Sequence, residues 1–379
     1  MIKVGITGQP GFIGTHLYNT LGLYPEKYIR IPFDDSFFLE EEKLNEFVTT
    51  CDVIIHLAAM NRHNDPEVIY KTNIGLVEQL INAIEKTNSK PHVLFASSTQ
   101  EERDNLYGKS KREGRQLLSE WAERNNAHFT GLIIPNVFGP FGNPYYNSVV
   151  ATFCHQLTHN EIPKIDIDGN LKLIYVGELV NEFIKNIDIK SNQKESENSI
   201  STITVSHTSE AMVSELLEIL SNYQSTYLEK GILPELKSKF EINLFNTFRT
   251  YMDIKNHYPV KLVKNTDNRG SFVETIKLNI GGQISFSTTV PGVTRGNHFH
   301  IRKIERFAVI KGKAIIQLRR IGTDEILNFE LNGNEPSYVD MPIWYTHNIK
   351  NTGEEELYTI FWINEFFDPN DPDTFFEAV

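Results

Sequence analysis

Cysteine is nearly absent from the sequence. Cys51 and Cys154 are the only two, too few for a disulfide framework, and no CxxC pair exists to build a thiolate zinc site. A metal would have to be met by imidazole and carboxylate. Positive charge is also in short supply. The 37 Lys and Arg stand against 49 Asp and Glu, and the net charge of −12 disfavours nucleic acid or an anionic membrane surface as a partner. Any anionic ligand must then be met by local donors rather than by a global field. No apolar run approaches the ~18 residues that span a bilayer. The opening MIKVGITGQPG runs directly into a strand pattern without the apolar stretch of a signal peptide, so a cytoplasmic protein is expected. What is present is ordinary for a globular chain, 40% apolar and 23% charged. With ~150 residues per hydrophobic core as the usual scale, 379 residues predict two folded units.

Strand-like runs alternate with helix-like ones from residue 1 to about 190. KVGIT precedes FIGTHLYNTLG, CDVIIHLAA precedes IYKTNIGLVEQLINAIEKTN, and HVLFASS precedes GKSKREGRQLLSEWAERNN. The alternation predicts an α/β unit, a doubly wound parallel sheet with helices on both faces. Over 69–87, Ile69, Ile74, Val77, Leu80, Ile81 and Ile84 recur at helical spacing. The polar run DIKSNQKESENS, 188–199, reads as a surface loop within this unit, because the following segment resumes a strand and then a helix capped by Ser209. Near 250–262 the character changes. Short strands separated by Gly, Asn and Pro take over, such as GQISFSTTV, ERFAVIKGKAIIQLRRI and ELYTIFWIN, and predict a small all-β barrel or sandwich. The expected division is 1–250 for the α/β unit and 251–379 for the β unit.

The first motif is GITGQPGFIG. Gly8, Gly11 and Gly14 follow a strand and open a helix, where glycines permit a tight turn and a close approach of backbone to a pyrophosphate. Glycines of a plain surface turn would look the same. Four further segments argue for the nucleotide site: HLAA at 56–59, Asn73 in TNIGLVEQL, Tyr107-Gly-Lys-Ser-Lys111 downstream of ASST at 96–99, and PNVFGP at 135–140. In this order they resemble the extended short-chain dehydrogenase/reductase family, with its Rossmann-type fold, over roughly residues 1–245. The resemblance implies that Tyr107 is the general acid and that Lys111 lowers its pKa and holds the nicotinamide ribose. Ser98, with Thr99 as second choice, would hydrogen-bond the substrate oxygen. The cofactor would lie against Gly8, Gly11, Phe12, Ile13, Gly14, Leu57, Ala58 and Ala59, with Asn73 ordering the site. Asp34 and Asp35 suit the ribose hydroxyl of NAD(H), whereas Arg30 leaves NADP(H) open. Asn136 and Asn147 are the candidate amide contacts to a nucleotide sugar.

The second constellation is GNHFHIRKIE, with His298 and His300 one residue apart and Glu305 beyond. On a strand, alternate residues share a face. A third imidazole, His347, stands in PIWYTHNIKN, and three imidazoles with a carboxylate are the ligand set of a divalent site. Exposed strand histidines are the bland alternative. The pattern resembles the two cupin motifs, except that Trp344 stands where glycine is usual and is expected to narrow the pocket mouth. DNRGSFVE and GVTRGNHFH also resemble deoxysugar 3,5-epimerases. Candidate acid–base groups are Tyr345, Lys303 and Lys311.

Together the two halves are similar to bifunctional capsular-polysaccharide enzymes, through PNVFG, YNSVVATFC, DNRGSF, YTHNI and NEFFDPNDPDT. That resemblance implies epimerisation at C3 of a UDP-4-keto-6-deoxy-N-acetylhexosamine in the cupin. NAD(P)H would then reduce C4 in the other half, giving UDP-N-acetyl-6-deoxy-L-talosamine on the way to N-acetyl-L-fucosamine. It also implies Zn2+ or another divalent ion at His298, His300, Glu305 and His347, and a homodimer or higher homo-oligomer. Two rivals stay open: a reductase whose cupin is a structural dimerisation module, and a sensor that binds nucleotide sugars through a vestigial site.

Overall fold

The computed structural model describes residues 1–192, 200–268 and 270–379, and the chain forms two compact units. The first comprises Met1–Val149 and Gly169–Met212, the second Val150–Asp168 and Val213–Val379.

In the first unit six parallel strands run in the order Tyr28–Ile31, Ile2–Thr7, Val53–His56, His92–Ser98, Phe129–Ile134, Ile200–Thr204. The order reverses beside the first strand, the arrangement of a Rossmann-type sheet whose ligands bind beyond the carboxyl ends of the strands. Successive side chains of a strand point to opposite faces, so both faces need apolar cover. Ile54 packs on one side with Phe47, Val77, Leu80, Leu118 and Trp121, from helices Glu41–Thr50, Pro66–Thr87 and Leu106–Asn125. Val53 and Ile55 pack on the other with Leu17, Leu179 and Phe183, from helices Phe12–Leu21 and Val176–Asn192. The doubly wound expectation therefore holds.

Helix Pro66–Thr87 starts at a capping Asp65 and stops at Asn88, whose φ of +52° suits asparagine. It buries Ile69, Val77, Leu80, Ile81 and Ile84 of the expected apolar face. The surface loop expected over 188–199 is helical up to Asn192, and 193–199 lie outside the described residues, as does Arg269 of DNRGSFVE. Ser209 is no helix cap: Ser209–Met212 is a strand pairing with Asn170–Tyr175, and the helix starts at Val213.

The second unit carries two five-stranded antiparallel sheets, a cupin-like β domain. One is built on Glu305–Lys311, Ser337–Met341 and Leu357–Ile363, the other on Thr294–Phe299, Lys313–Arg320 and Tyr345–Asn351. The boundary expected at 250 falls inside this unit, for a physical reason. Side chains of the preceding helical stretch reach into the β domain: Tyr227 donates to Asp340 Oδ2 at 2.6 Å, Arg249 to the Met341 carbonyl at 2.7 Å, and Asn246 to that of Arg302 at 2.9 Å. Both cysteines are buried free thiols. Among the described residues no helix is long and apolar enough to cross a membrane.

Candidate active sites

The first strand ends at Thr7 and the chain turns through Gly8 at φ +69°, a conformation that favours glycine. A Cβ there would stand 2.8 Å from the backbone of Ala58, so the glycine turn and HLAA touch. At Gly14 a Cβ would lie 2.5 Å from the Gly8 carbonyl oxygen, and its absence lets the helix close on the turn. Gly11 caps helix Phe12–Leu21 without a side-chain bond, and the first turn, with Phe12 and Ile13, holds no acid. The amides at this end keep their partial positive charge for an external anion. That cradle fits a dinucleotide pyrophosphate. Past the second strand Asp34 is exposed and accepts from the Ser36 amide at 2.9 Å, while Arg30 turns back over the Tyr18 ring at 4.3 Å.

Asn105 caps helix Leu106–Asn125, accepting from the Gly108 amide at 2.7 Å, and so fixes Tyr107 and Lys111 one turn apart. Lys111 is buried. Its Nζ donates to the Ala96 carbonyl at 3.0 Å and lies 5.9 Å from the centre of the Tyr107 ring. Burial pulls the Lys111 pKa down to about 8, with Glu101 opposing, and pushes Tyr107 up to about 12, with Tyr146 adding to the rise. At neutral pH the phenol therefore holds its proton beside an ammonium.

Asn73 is an ordering residue. Its Oδ1 accepts from Met60 N at 2.7 Å, and its Nδ2 donates to Met60 O at 3.1 Å and to Ser110 Oγ at 3.0 Å. Ser110 donates in turn to the Tyr107 carbonyl at 2.7 Å. Ser98 is half-buried at its strand end, where Oγ accepts from Gln100 N at 3.2 Å; Thr99 is exposed. Asn136 is exposed at the start of strand Asn136–Phe138, and Asn147 is exposed and donates to the Asn61 carbonyl at 3.4 Å.

Pattern reading missed two supports here. Buried Glu101 takes two bonds from Arg115, at 2.9 and 2.7 Å, and one from Ser97. Burial pushes its carboxyl up, but those bonds outweigh the effect and hold it below the usual range. His56, in HLAA itself, is fully buried against Thr7 Oγ1 at 2.8 Å, and burial drops its pKa to about 3, so it stays neutral.

In the second unit His298, His300, Glu305 and His347 converge, with one ligand atom of each inside a 4.8 Å cluster. His298 sits after a bulge at Asn297, whose φ is +60°, and pairs across the sheet with His347. Bulges commonly re-aim side chains at sites. His300 lies just past the strand end, and Glu305 opens a strand of the facing sheet. Glu305 Oε2 is 3.0 Å from His300 Nε2 and 3.4 Å from His347 Nε2. Apart from these approaches to one another the three atoms are buried without a hydrogen-bond partner, which is costly unless something binds there. The opposite ring nitrogens are held by backbone carbonyls, His300 Nδ1 by Asp373 and His347 Nδ1 by Tyr345 at 3.2 Å. Both Nε2 atoms are thus turned toward Glu305. Burial, reinforced by the other two imidazoles, lowers His298 to about 4. Burial opposes the charge on Glu305 also, yet His300 and His347 hold its carboxyl well below the usual range. Three imidazoles and a carboxylate converging on one point fit a divalent ion.

Of the acid–base candidates, Lys311 is exposed and pairs with Glu355 at 3.5 Å, and Lys303 spends its ammonium on the Pro372 carbonyl at 2.7 Å. Tyr345 remains, two residues from His347 on one strand face and raised by burial. Trp344 does not stand at a mouth. It adopts φ +62°, where glycine is usual, and buries its indole on Phe299 at 5.5 Å.

The model of the NAD dependent epimerase/dehydratase family matches residues 4–197, and that of the polysaccharide biosynthesis C-terminal domain matches 265–375. The UDP-2-acetamido-2,6-beta-L-arabino-hexul-4-ose reductase of Pseudomonas aeruginosa is 33% identical over 378 residues, 99% of this chain and 98% of that protein. The spore coat polysaccharide biosynthesis protein SpsL of Bacillus subtilis is 27% identical over 123 residues, 30% of this chain and 82% of that protein. Among solved structures, the capsular polysaccharide assembling protein CapF from Staphylococcus aureus matches with 34% identity and a TM-score of 0.62, each chain covered in full. The chain belongs to the NAD dependent epimerase/dehydratase family, as an extended short-chain dehydrogenase/reductase with a two-part build like that of CapF.

Proposed function

We propose that the chain is a bifunctional nucleotide-sugar enzyme. Its Rossmann unit is an NAD(P)H-dependent reductase of a UDP-linked 4-keto-6-deoxy-N-acetylhexosamine, and its cupin unit epimerises C3 of that sugar before reduction. The product is UDP-N-acetyl-6-deoxy-L-talosamine, a precursor of UDP-N-acetyl-L-fucosamine. The observation that carries the reading is Tyr107, protonated at neutral pH with buried Lys111 one turn away. The Pseudomonas relative, named a reductase of a UDP-linked 4-ketosugar, supports the substrate class.

When bound, NAD(P)H supplies the hydride. Tyr107 gives its phenolic proton to the C4 oxygen as C4 is reduced, and the ammonium of Lys111 stabilises the phenolate left behind. The Ser98 hydroxyl, whose oxygen already accepts from Gln100, has its hydrogen for the same substrate oxygen. Asn136 and Asn147 contact the nucleotide sugar. In the cupin, His298, His300, Glu305 and His347 would hold Zn2+ or a similar divalent ion, which would supply Lewis acidity to the ketone. The C3 proton is acidic because C4 is a ketone; it leaves to a solvent base on one face of the sugar, and Tyr345, kept protonated by burial, gives a proton to C3 on the other and is reprotonated from solvent.

The test is incubation with the UDP-4-ketosugar in D2O, with and without NADPH. Deuterium at C3 without NADPH is the expected result. Reduction with no deuterium at C3 would leave the cupin a structural module. Failure to oxidise NADPH in the presence of the ketosugar would refute the reductase.

A further inference from the structure

Asp373 occupies a position that neither motif touches. It is 3% exposed, at φ +41°, in the run DPNDPDT near the C-terminus. Its carboxylate accepts from three consecutive backbone amides, Ile301 at 3.1 Å, Arg302 at 3.1 Å and Lys303 at 2.9 Å. Successive amides pointing one way form a nest that an anion fills. This nest is the loop between His300 and Glu305. The carbonyl of the same residue accepts from His300 Nδ1, and the Trp344 amide donates to the His300 carbonyl at 2.8 Å. One residue thus fixes the loop joining two members of the cluster and the tautomer of one of them.

The rest of the segment is fastened to the same loop. Arg302 reaches Glu365 at 3.1 Å and Asp371 at 3.0 Å, Phe375 stacks on Phe299 at 5.4 Å, and His298 pairs with Phe376 in the sheet. Any residue at 373 would offer a carbonyl. Only an acid there also fills the nest that holds the carbonyl where His300 needs it.

We infer that Asp373 is a positioning residue for the His298, His300, Glu305 and His347 cluster, docking the C-terminal segment so that His300 is aimed at a bound divalent cation; the inference rests on the metal reading proposed above. Outer-shell partners of metal-binding histidines commonly change affinity by 10–100-fold when lost.

The test uses the full chain with Zn2+ in competition with a chromophoric chelator, and Co2+ for the visible spectrum of the loaded site. Asp373→Ala should bind Zn2+ at least about tenfold more weakly and shift the Co2+ bands, with Asp373→Asn, which keeps one acceptor oxygen, in between. Arg302→Ala loosens the same segment without touching the carboxylate. It should lower thermal stability while leaving Zn2+ affinity within about twofold, since it leaves the residues around the ion in place. Hydrogen exchange of the strand Leu357–Ile363, in the same unit, serves as the folding control. Wild-type affinity and spectrum in Asp373→Ala, whatever its thermal stability, would overturn this inference alone. A wild-type chain that binds neither ion would overturn the metal reading and this inference with it.

Discussion

Lys111→Met keeps the length of the side chain and removes its charge. The buried ammonium has its pKa pulled from 10.5 to about 8, so the fold bears the cost of keeping it charged. At about 1.4 kcal/mol per pH unit, that gap is worth roughly 3 kcal/mol at pH 7. Methionine relieves this but abandons the Ala96 carbonyl, whose lost bond costs about 1 kcal/mol. The variant should therefore be more stable than wild type at pH 7, by about 2 kcal/mol, while its reductase activity collapses.

The sign reverses with pH. Below about 8 both folded and unfolded chains carry the charge and the cost is complete. Between about 8 and 10.5 the unfolded chain keeps a proton that the fold releases, so wild-type stability rises with pH relative to the variant. Near 10.5 the cost is gone and only the lost bond counts, leaving wild type slightly ahead. Hydrogen exchange of the strand His92–Ser98, which ends beside Lys111, reads the Rossmann unit without interference from the cupin. A variant less stable at pH 7, or a difference that does not change with pH, would refute the argument from burial.

Tyr107→Phe should lower the reduction rate by about 100-fold or more with NAD(P)H affinity unchanged, measured by fluorescence titration. Asp340→Asn should cost roughly 3 kcal/mol in urea unfolding of the second unit, because Arg306, bonded to Asp340 at 2.7 Å, is left buried without its counter-charge. Burial pushes the Asp340 carboxyl up, but Arg306 outweighs it and holds it low, so the wild-type advantage should be present at neutral pH and fade as pH falls below the ordinary carboxylate range. His347→Ala should abolish stoichiometric metal on elemental analysis. Chelation of the wild type should lower the melting temperature of the cupin, and restoring the ion at 100 times its Kd should return about 2.7 kcal/mol.

The groups that meet in each site were legible because each set is held by the spacing of one element or by recurring motifs. YxxxK is a single helical turn, and the two imidazoles of HxH have one residue between them along the chain. The sheet was legible because short apolar runs such as VLFA alternate along the chain with longer helical periods, the pattern of parallel strands buried on both faces. The unit boundary was not. Helix Lys239–Arg249 has the amphipathic period of any α/β helix, and nothing in that period says that Arg249 will donate into the β domain. The Trp344 expectation failed because motif comparison suggests what side chain is unusual, whereas the backbone at that position fixes only a left-handed φ.

The supports behind the sites were hidden for a more general reason. Lys111 is held by the carbonyl of Ala96, His300 by that of Asp373, and His347 by that of Tyr345. A backbone carbonyl belongs to every residue type, so its role leaves no mark in the letters. What leaves a mark is the residue that forces the carbonyl into place, and only when it is chemically odd for its surroundings. Asp373 qualifies, since a carboxylate this buried must be compensated, and three amides compensate it. In the sequence it is one of several acids in NEFFDPNDPDT, and nothing in that run sets it apart from the others. Burial, which only the folded chain supplies, turns that letter from surface charge into part of a site.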